Sequence, residues 1–219
     1  MAKIFNVSAR AVFTRIFDAP ANWLLRLGVS PDAVTAVGTL GVVAGSVLFA
    51  FTGRFITGTV IVTLSAFTDL IDGNMARKLG RSGKFGAFLD STCDRIADGA
   101  IFGAVAYWMG VHDRTWGAAA ALVCLVAGQV VSYAKARAEG LGMTANVGLV
   151  ERAERLVAIG IGGLLSGFGV TYGLDVVLGL LAIASIVTIG QRVATVYQQD
   201  RANVRASAPA GHPTVENQP

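Results

Sequence analysis

The chain has 219 residues, of which 53% are hydrophobic and only 15% charged, and its mean hydropathy is +0.59. A soluble domain carries about 25% charged residues, so this composition argues against a soluble globular fold, and 27 glycines suit closely packed membrane helices. The net charge of +4 comes without a basic run of the kind that tracks nucleic acid, and Cys93 and Cys124 sit in apolar stretches that make no disulfide framework.

In chain order, residues 1–29 read as an amphipathic juxtamembrane segment. Val12, Phe13, Ile16 and Phe17 share one helical face, while Lys3, Arg10 and Arg15 lie away from it. This stretch is too short and too charged to span, so an interfacial helix ending near Pro20 is expected. Ser30-Pro31-Asp32 then marks a helix start: a capping hydroxyl, a proline suited to the first turn and an acid at the positive end of the dipole. Six stretches long enough to cross a bilayer follow, at 31–52, 55–79, 84–111, 115–138, 150–169 and 173–199. Short connections predict antiparallel neighbours in a compact bundle. The polar, proline-containing stretch 201–219 reads as a disordered tail. The expected architecture is therefore all-α and integral to the membrane: six transmembrane helices over 30–200, preceded by a short interfacial amphipathic helix.

Basic residues set the orientation. If the loop at 80–84 is cytoplasmic, so are both termini and the connection at 139–149. Of the eighteen lysines and arginines, all but Arg54 and Arg114 then fall on the cytoplasmic side. A multi-pass protein of the cell (inner or plasma) membrane is predicted, with its polar helix ends facing the cytoplasm.

Those ends carry the chemistry. Asp69 and Asp72 are three residues apart and Asp90 and Asp94 four apart, so each pair occupies one helical face. One carboxylate near mid-bilayer costs about 2.5–3.5 kcal/mol, and four unpaired ones on the order of 10 kcal/mol. Two helices joined by a short loop bring the faces together as hard oxygen ligands suited to Mg²⁺ or Mn²⁺, enough for two ions. The bland alternative is ion pairing with Arg77, Arg95 and other basic neighbours. Gly73 and Gly86 let a ligand approach the backbone or serve helix packing, and Arg77 presents a fork suited to phosphate.

Asp69-x-x-Asp72-Gly73-x-x-Ala76-Arg77, eight residues, Gly86, three residues, Asp90, three residues, Asp94 resembles the signature of the CDP-alcohol phosphotransferase family at all eight fixed positions. The resemblance implies a six-helix membrane enzyme, usually a homodimer, that transfers a phosphatidyl or similar group from a CDP-linked donor to an alcohol and releases CMP. SPDAVT (30–35) and LVERAERL (149–156) are most similar to the actinobacterial branch, which joins CDP-diacylglycerol to inositol 1-phosphate. A sister activity using glycerol 3-phosphate, giving phosphatidylglycerol phosphate, stays open, and an ion-coupled transporter is the remote competitor.

The resemblance implies metal ligation by Asp69, Asp72, Asp90 and Asp94, with Asp94 also the catalytic base. His112 lies at the far membrane face and His212 in the tail, so neither histidine competes for that role. It likewise implies donor contacts from Asp32, Thr35, Gly73 and Arg77, with Ser82 the loop hydroxyl available to touch CDP-diacylglycerol. For the acceptor phosphate it points to Lys135, Arg155 and Arg192, with Arg152 one turn away as a further candidate. Each of these bases also reads as a headgroup anchor. Glu151 and Glu154 are expected to orient or partly neutralise Arg152 and Arg155. Asp98 lies outside the signature and reads as a supporting or helix-pairing residue.

Overall fold

The computed structural model describes residues 17–80 and 83–207, and among them there are helices and no strands. Helix α1 covers residues 17–26. It is followed by α2 (Pro31–Thr52), α3 (Phe55–Ala66), α4 (Thr68–Lys78), α5 (Lys84–Val111), α6 (Thr115–Gly140), α7 (Arg152–Gly167) and α8 (Gly173–Ser207). Side chains such as Leu40, Phe51, Leu64, Trp116 and Ile183 point outward, an arrangement that water would penalise and lipid favours. This is an all-helical membrane protein.

Among the described residues, four helical stretches are long and apolar enough to cross a bilayer: Pro31–Thr52, Phe55–Lys78, Thr115–Gly140 and Gly173–Arg205. The other two expected spans differ for physical reasons. α5 has 28 residues, but its first fifteen carry Asp90, Asp94, Arg95 and Asp98. α7 has 16 residues, a rise of about 24 Å against a hydrocarbon core of about 30 Å.

Three local expectations are corrected. The first helix does not end near Pro20 but runs to residue 26, because Ala21, Leu24 and Leu25 pack against Val34 and Met75. Of its expected apolar face, Val12, Phe13 and Ile16 lie outside the described residues, while Phe17 stacks on Phe67 with ring centroids 6.2 Å apart. The second span crosses as one stretch, but its helical ladder is interrupted at Phe67, two residues before Asp69. There the Thr68 hydroxyl donates to the Ser65 carbonyl at 2.5 Å and Leu70 N–H bonds Phe67 O, three residues back instead of four. Finally, α8 continues to Ser207, past the expected start of the tail at 201; residues 208–219 lie outside the described residues.

Ser30 caps α2 as its sequence predicts, its hydroxyl accepting from Ala33 N–H at 3.2 Å with Pro31 in the first turn. α2 packs against α3, α4 and α5, and so holds the two aspartate helices in one frame. The approach of α4 depends on Gly38, where a Cβ would fall 1.8 Å from the Thr68 hydroxyl. α6 and α7 lean on α8, and α3 on α7. The apolar core joins Val42 and Phe49 of α2, Phe102 and Met109 of α5, Cys124 of α6 and Leu178 of α8.

Candidate active site

The break at Phe67 restarts the helix as α4, whose first turn carries Asp69 and leads to buried Asp72. Opposite lies the first half of α5 with Asp90 and Asp94. Asp69 and Asp90 lie near enough to Asp72 and to Asp94 for their charges to act on both. α2 adds two groups. The Thr35 hydroxyl donates to Asp72 Oδ2 at 2.5 Å, and Asp32 Oδ1 lies 3.6 Å from where a Cβ on Gly86 would stand. Gly73 lies beneath Arg77, whose Nη1 is 3.9 Å from the glycine's missing Cβ position. Asp32, Thr35, Asp69, Asp72, Gly73, Arg77, Gly86, Asp90 and Asp94 thus gather at one end of α2, α4 and α5. Ser82 lies outside the described residues.

The back of α4 is latched by α1. Lys78 Nζ reaches Asp18 Oδ1 at 2.8 Å and Asn22 Oδ1 at 2.7 Å, while Asn74 Nδ2 donates to Asp18 Oδ1 at 2.8 Å. The Lys78 ammonium first, and the Asn74 amide second, hold the Asp18 carboxyl below its ordinary value.

The bases sit differently from one another. Arg152 projects from the start of α7 into the carboxylates. Its Nη1 is 2.7 Å from Asp94 Oδ1 and 3.1 Å from Asp69 Oδ2, and its Nε is 3.4 Å from Asp98 Oδ1. The ion-pairing alternative is therefore realised in part, through Arg152; Arg95 stands 3.6 Å from Asp94 Oδ2. With that guanidinium between them, no three acidic, histidine or cysteine side chains among the described residues converge as a closed metal shell. The donor set itself still fits a hard divalent cation, being all carboxylate oxygen with neither histidine nor thiolate beside it.

Arg155 and Arg192 are not headgroup anchors, being only 1% and 2% exposed. Arg155 Nη2 bonds Asp98 Oδ2 at 2.5 Å. Its guanidinium packs over Gly128, where a Cβ would lie 3.1 Å from Arg155 Cζ. Arg192 donates to the carbonyls of Val131 at 2.6 Å and Val147 at 3.0 Å, and to Glu151 Oε1 at 3.1 Å. Glu151 thus pairs with Arg192 and not with Arg152 or Arg155. Glu154 turns back to accept from Glu151 N–H at 2.9 Å, capping α7. Lys135, on α6, is half-buried. Asp98 acts as a helix-pairing residue, tying α5 to α7.

A cavity of about 920 Å³ opens beside the cluster. Its walls are apolar, from Thr59 and Val62 of α3, Ile101 and Val105 of α5, and Leu156 and Gly160 of α7, with Asp69 and Arg152 also in its lining. Its one charged end and its apolar walls give the cavity an amphiphilic lining.

Residues 28–196 match the family model of CDP-alcohol phosphatidyltransferases. The chain belongs to that family. It is 50% identical over 204 residues to a phosphatidylinositol phosphate synthase of Streptomyces avermitilis, covering 90% of this chain and 84% of that protein. A Mycobacterium tuberculosis protein of the same name is 42% identical over 205 residues, covering 92% and 94%. The crystal structure of the M. tuberculosis synthase with CDP-DAG bound superposes with a TM-score of 0.80 at 38% identity, covering 94% of this chain and 99% of that one. A second crystal structure of that synthase, with manganese and citrate, gives a TM-score of 0.79 at 38% identity over 93% of each chain. In this family member, the signature motif finds the carboxylates but is silent on Arg152 and on the Asp18 latch, which join residues far apart in sequence.

Proposed function

We propose that this CDP-alcohol phosphatidyltransferase transfers the phosphatidyl group of CDP-diacylglycerol to inositol 1-phosphate, giving phosphatidylinositol phosphate and CMP. The observation that carries the reading is the assembly of the signature on three helices. Thr35 bonds Asp72, Asp32 stands by Gly86, and Arg77 lies over Gly73, all beside an apolar cavity of about 920 Å³. The 50% identity to the Streptomyces synthase supports the choice of acceptor.

In this proposal Asp32 and Thr35 meet the nucleotide, Gly73 and Arg77 run along the diphosphate, and the acyl chains lie in the cavity. Asp69, Asp72, Asp90 and Asp94 would hold two divalent cations, Mg²⁺ or Mn²⁺. Such cations, when bound, supply charge neutralisation at the pyrophosphate and at the leaving oxygen. The acceptor hydroxyl forms the new bond to the phosphorus that bears diacylglycerol, its proton passes to Asp94, and the bond to CMP breaks. Lys135, Arg152, Arg155 and Arg192 together offset the aspartates, so that a phosphate-bearing acceptor is drawn in and not repelled.

We infer likewise six spans, α5 and α7 among them, a homodimer, cytoplasmic termini and site, and residence in the cell membrane. Incubation of the purified protein with CDP-diacylglycerol and a panel of acceptors, following CMP release, tests the transferase reading. Inositol 1-phosphate is expected to be used and free inositol not. Preferred use of glycerol 3-phosphate would move the chain to the sister activity.

A further inference from the structure

The three internal arginines are held in unlike ways. Arg155 is sealed against Asp98 and Gly128, and Arg192 is tied to two carbonyls and Glu151. Arg152 has no such seat. One nitrogen, Nη1, serves two carboxylates at once, Asp94 at 2.7 Å and Asp69 at 3.1 Å. Its Nε stands 3.4 Å from Asp98 Oδ1 without a hydrogen bond; Arg155 Nε is likewise buried without one, so it is the shared Nη1 that sets Arg152 apart. This is not the two-pronged geometry that makes arginine–carboxylate pairs strong. Arg152 also leaves the chain at the first residue of α7, after a connection without regular structure, and its side chain forms part of the cavity lining.

The oxygens it holds belong to two of the carboxylates assigned to the cation, and the Asp94 oxygen nearest it belongs to the group assigned to take the acceptor's proton. A guanidinium and a divalent cation placed on those carboxylates repel one another and draw on the same negative charge. We infer that Arg152 is a displaceable counter-ion: it competes with the divalent cation for Asp69 and Asp94, and once displaced it presents its guanidinium to the phosphate of the incoming acceptor. Cation and anionic acceptor then bind with positive coupling, and by linkage each tightens the other by the same factor. The inference rests on the proposed transferase reading and adds an order to it, cation before acceptor. It also gives Arg152 two successive partners, where Arg155 and Arg192 keep one seat each.

The test is Mn²⁺ titration calorimetry on the full chain purified in detergent, with inorganic phosphate as the anion probe. Arg152→Gln is expected to bind Mn²⁺ at least about fivefold more tightly than the wild type, the lower end of ordinary site coupling. Phosphate is expected to tighten Mn²⁺ binding to the wild type and to leave Arg152→Gln unchanged. Arg152→Lys keeps the charge, loses the planar fork, and should fall between the two; if the glutamine variant does not fold, the lysine variant decides on the same criterion. Equal or weaker Mn²⁺ binding by the folded variants overturns the inference alone, as does a phosphate effect that survives in Arg152→Gln. Absence of Mn²⁺ binding in all the proteins overturns the carboxylate site itself and the inference with it.

Discussion

Replacing Asp98 by asparagine should destabilise the fold more than any change at the signature aspartates. The carboxylate is 3% exposed and its Oδ2 meets Arg155 Nη2 at 2.5 Å, while Arg155 is 1% exposed. Asparagine keeps the size and removes the charge, leaving the Arg155 guanidinium enclosed against Gly128. Arg192 is close enough to feel that charge, so two buried like charges would face each other with less to offset them. Breaking a buried pair from one side costs about 3–5 kcal/mol. At roughly 2–4 °C per kcal/mol for a chain of this size, the melting midpoint should fall by about 6–20 °C, read from helical circular dichroism of the detergent-purified protein. Removing both charges, as Asp98→Leu with Arg155→Met, should restore most of the loss, because an apolar pair of similar volume carries no desolvation cost. A fall below about 2 °C for the single variant, or a double variant as unstable as the single, would refute the assignment of Asp98 as the clamp between α5 and α7.

Thr35→Val keeps the shape and leaves Asp72 Oδ2 without its 2.5 Å donor; kcat/KM for CDP-diacylglycerol should drop by the equivalent of about 1–3 kcal/mol, and an unchanged value would detach Thr35 from the site. Asp94→Asn should abolish turnover while leaving much of the donor binding, whereas Asp69→Asn or Asp72→Asn should weaken donor binding as well; near-normal turnover in Asp94→Asn would place the base elsewhere. Asp18 is held below its ordinary carboxylate value of 3.8 by Lys78 and then Asn74. A lowered folded-state value means that its stabilising contribution is present above that ordinary value and is lost as pH falls below it. The melting difference between wild type and Asp18→Asn should therefore be constant near neutral pH and vanish in acid, and a difference that grew on acidification would contradict the latch.

Much of the site was legible because its residues are near one another along the chain. Asp69, Asp72, Gly73 and Arg77 lie within three turns of helix, and Asp90 and Asp94 within one, so helical periodicity alone groups them. The Ser30 cap was legible for the same reason. Arg152 was legible as a candidate base for the acceptor phosphate but not as a partner of the carboxylates, since it meets Asp69 across 83 residues of chain and nothing in its own surroundings separates it from Arg155, three positions on. Burial decides between the two: the Gly128 seat and the Asp98 clamp enclose Arg155, and Arg152 is left at the open edge. The break at Phe67 escaped as well, because it comes from the Thr68 hydroxyl turning back to Ser65 O inside an apolar run that reads as one span. Pro20 misled in the opposite sense, because tertiary packing of Ala21 against Val34 and Met75 carries the helix past it.

The lipid product shows most directly what the enzyme joins to what. Purified protein supplied with CDP-diacylglycerol, inositol 1-phosphate and Mg²⁺ should yield phosphatidylinositol phosphate by mass spectrometry, with CMP in equal amount, and neither should form in the presence of a chelator. Undiminished product in the chelator would contradict the carboxylate-bound cation, and a product made only from glycerol 3-phosphate would contradict the acceptor.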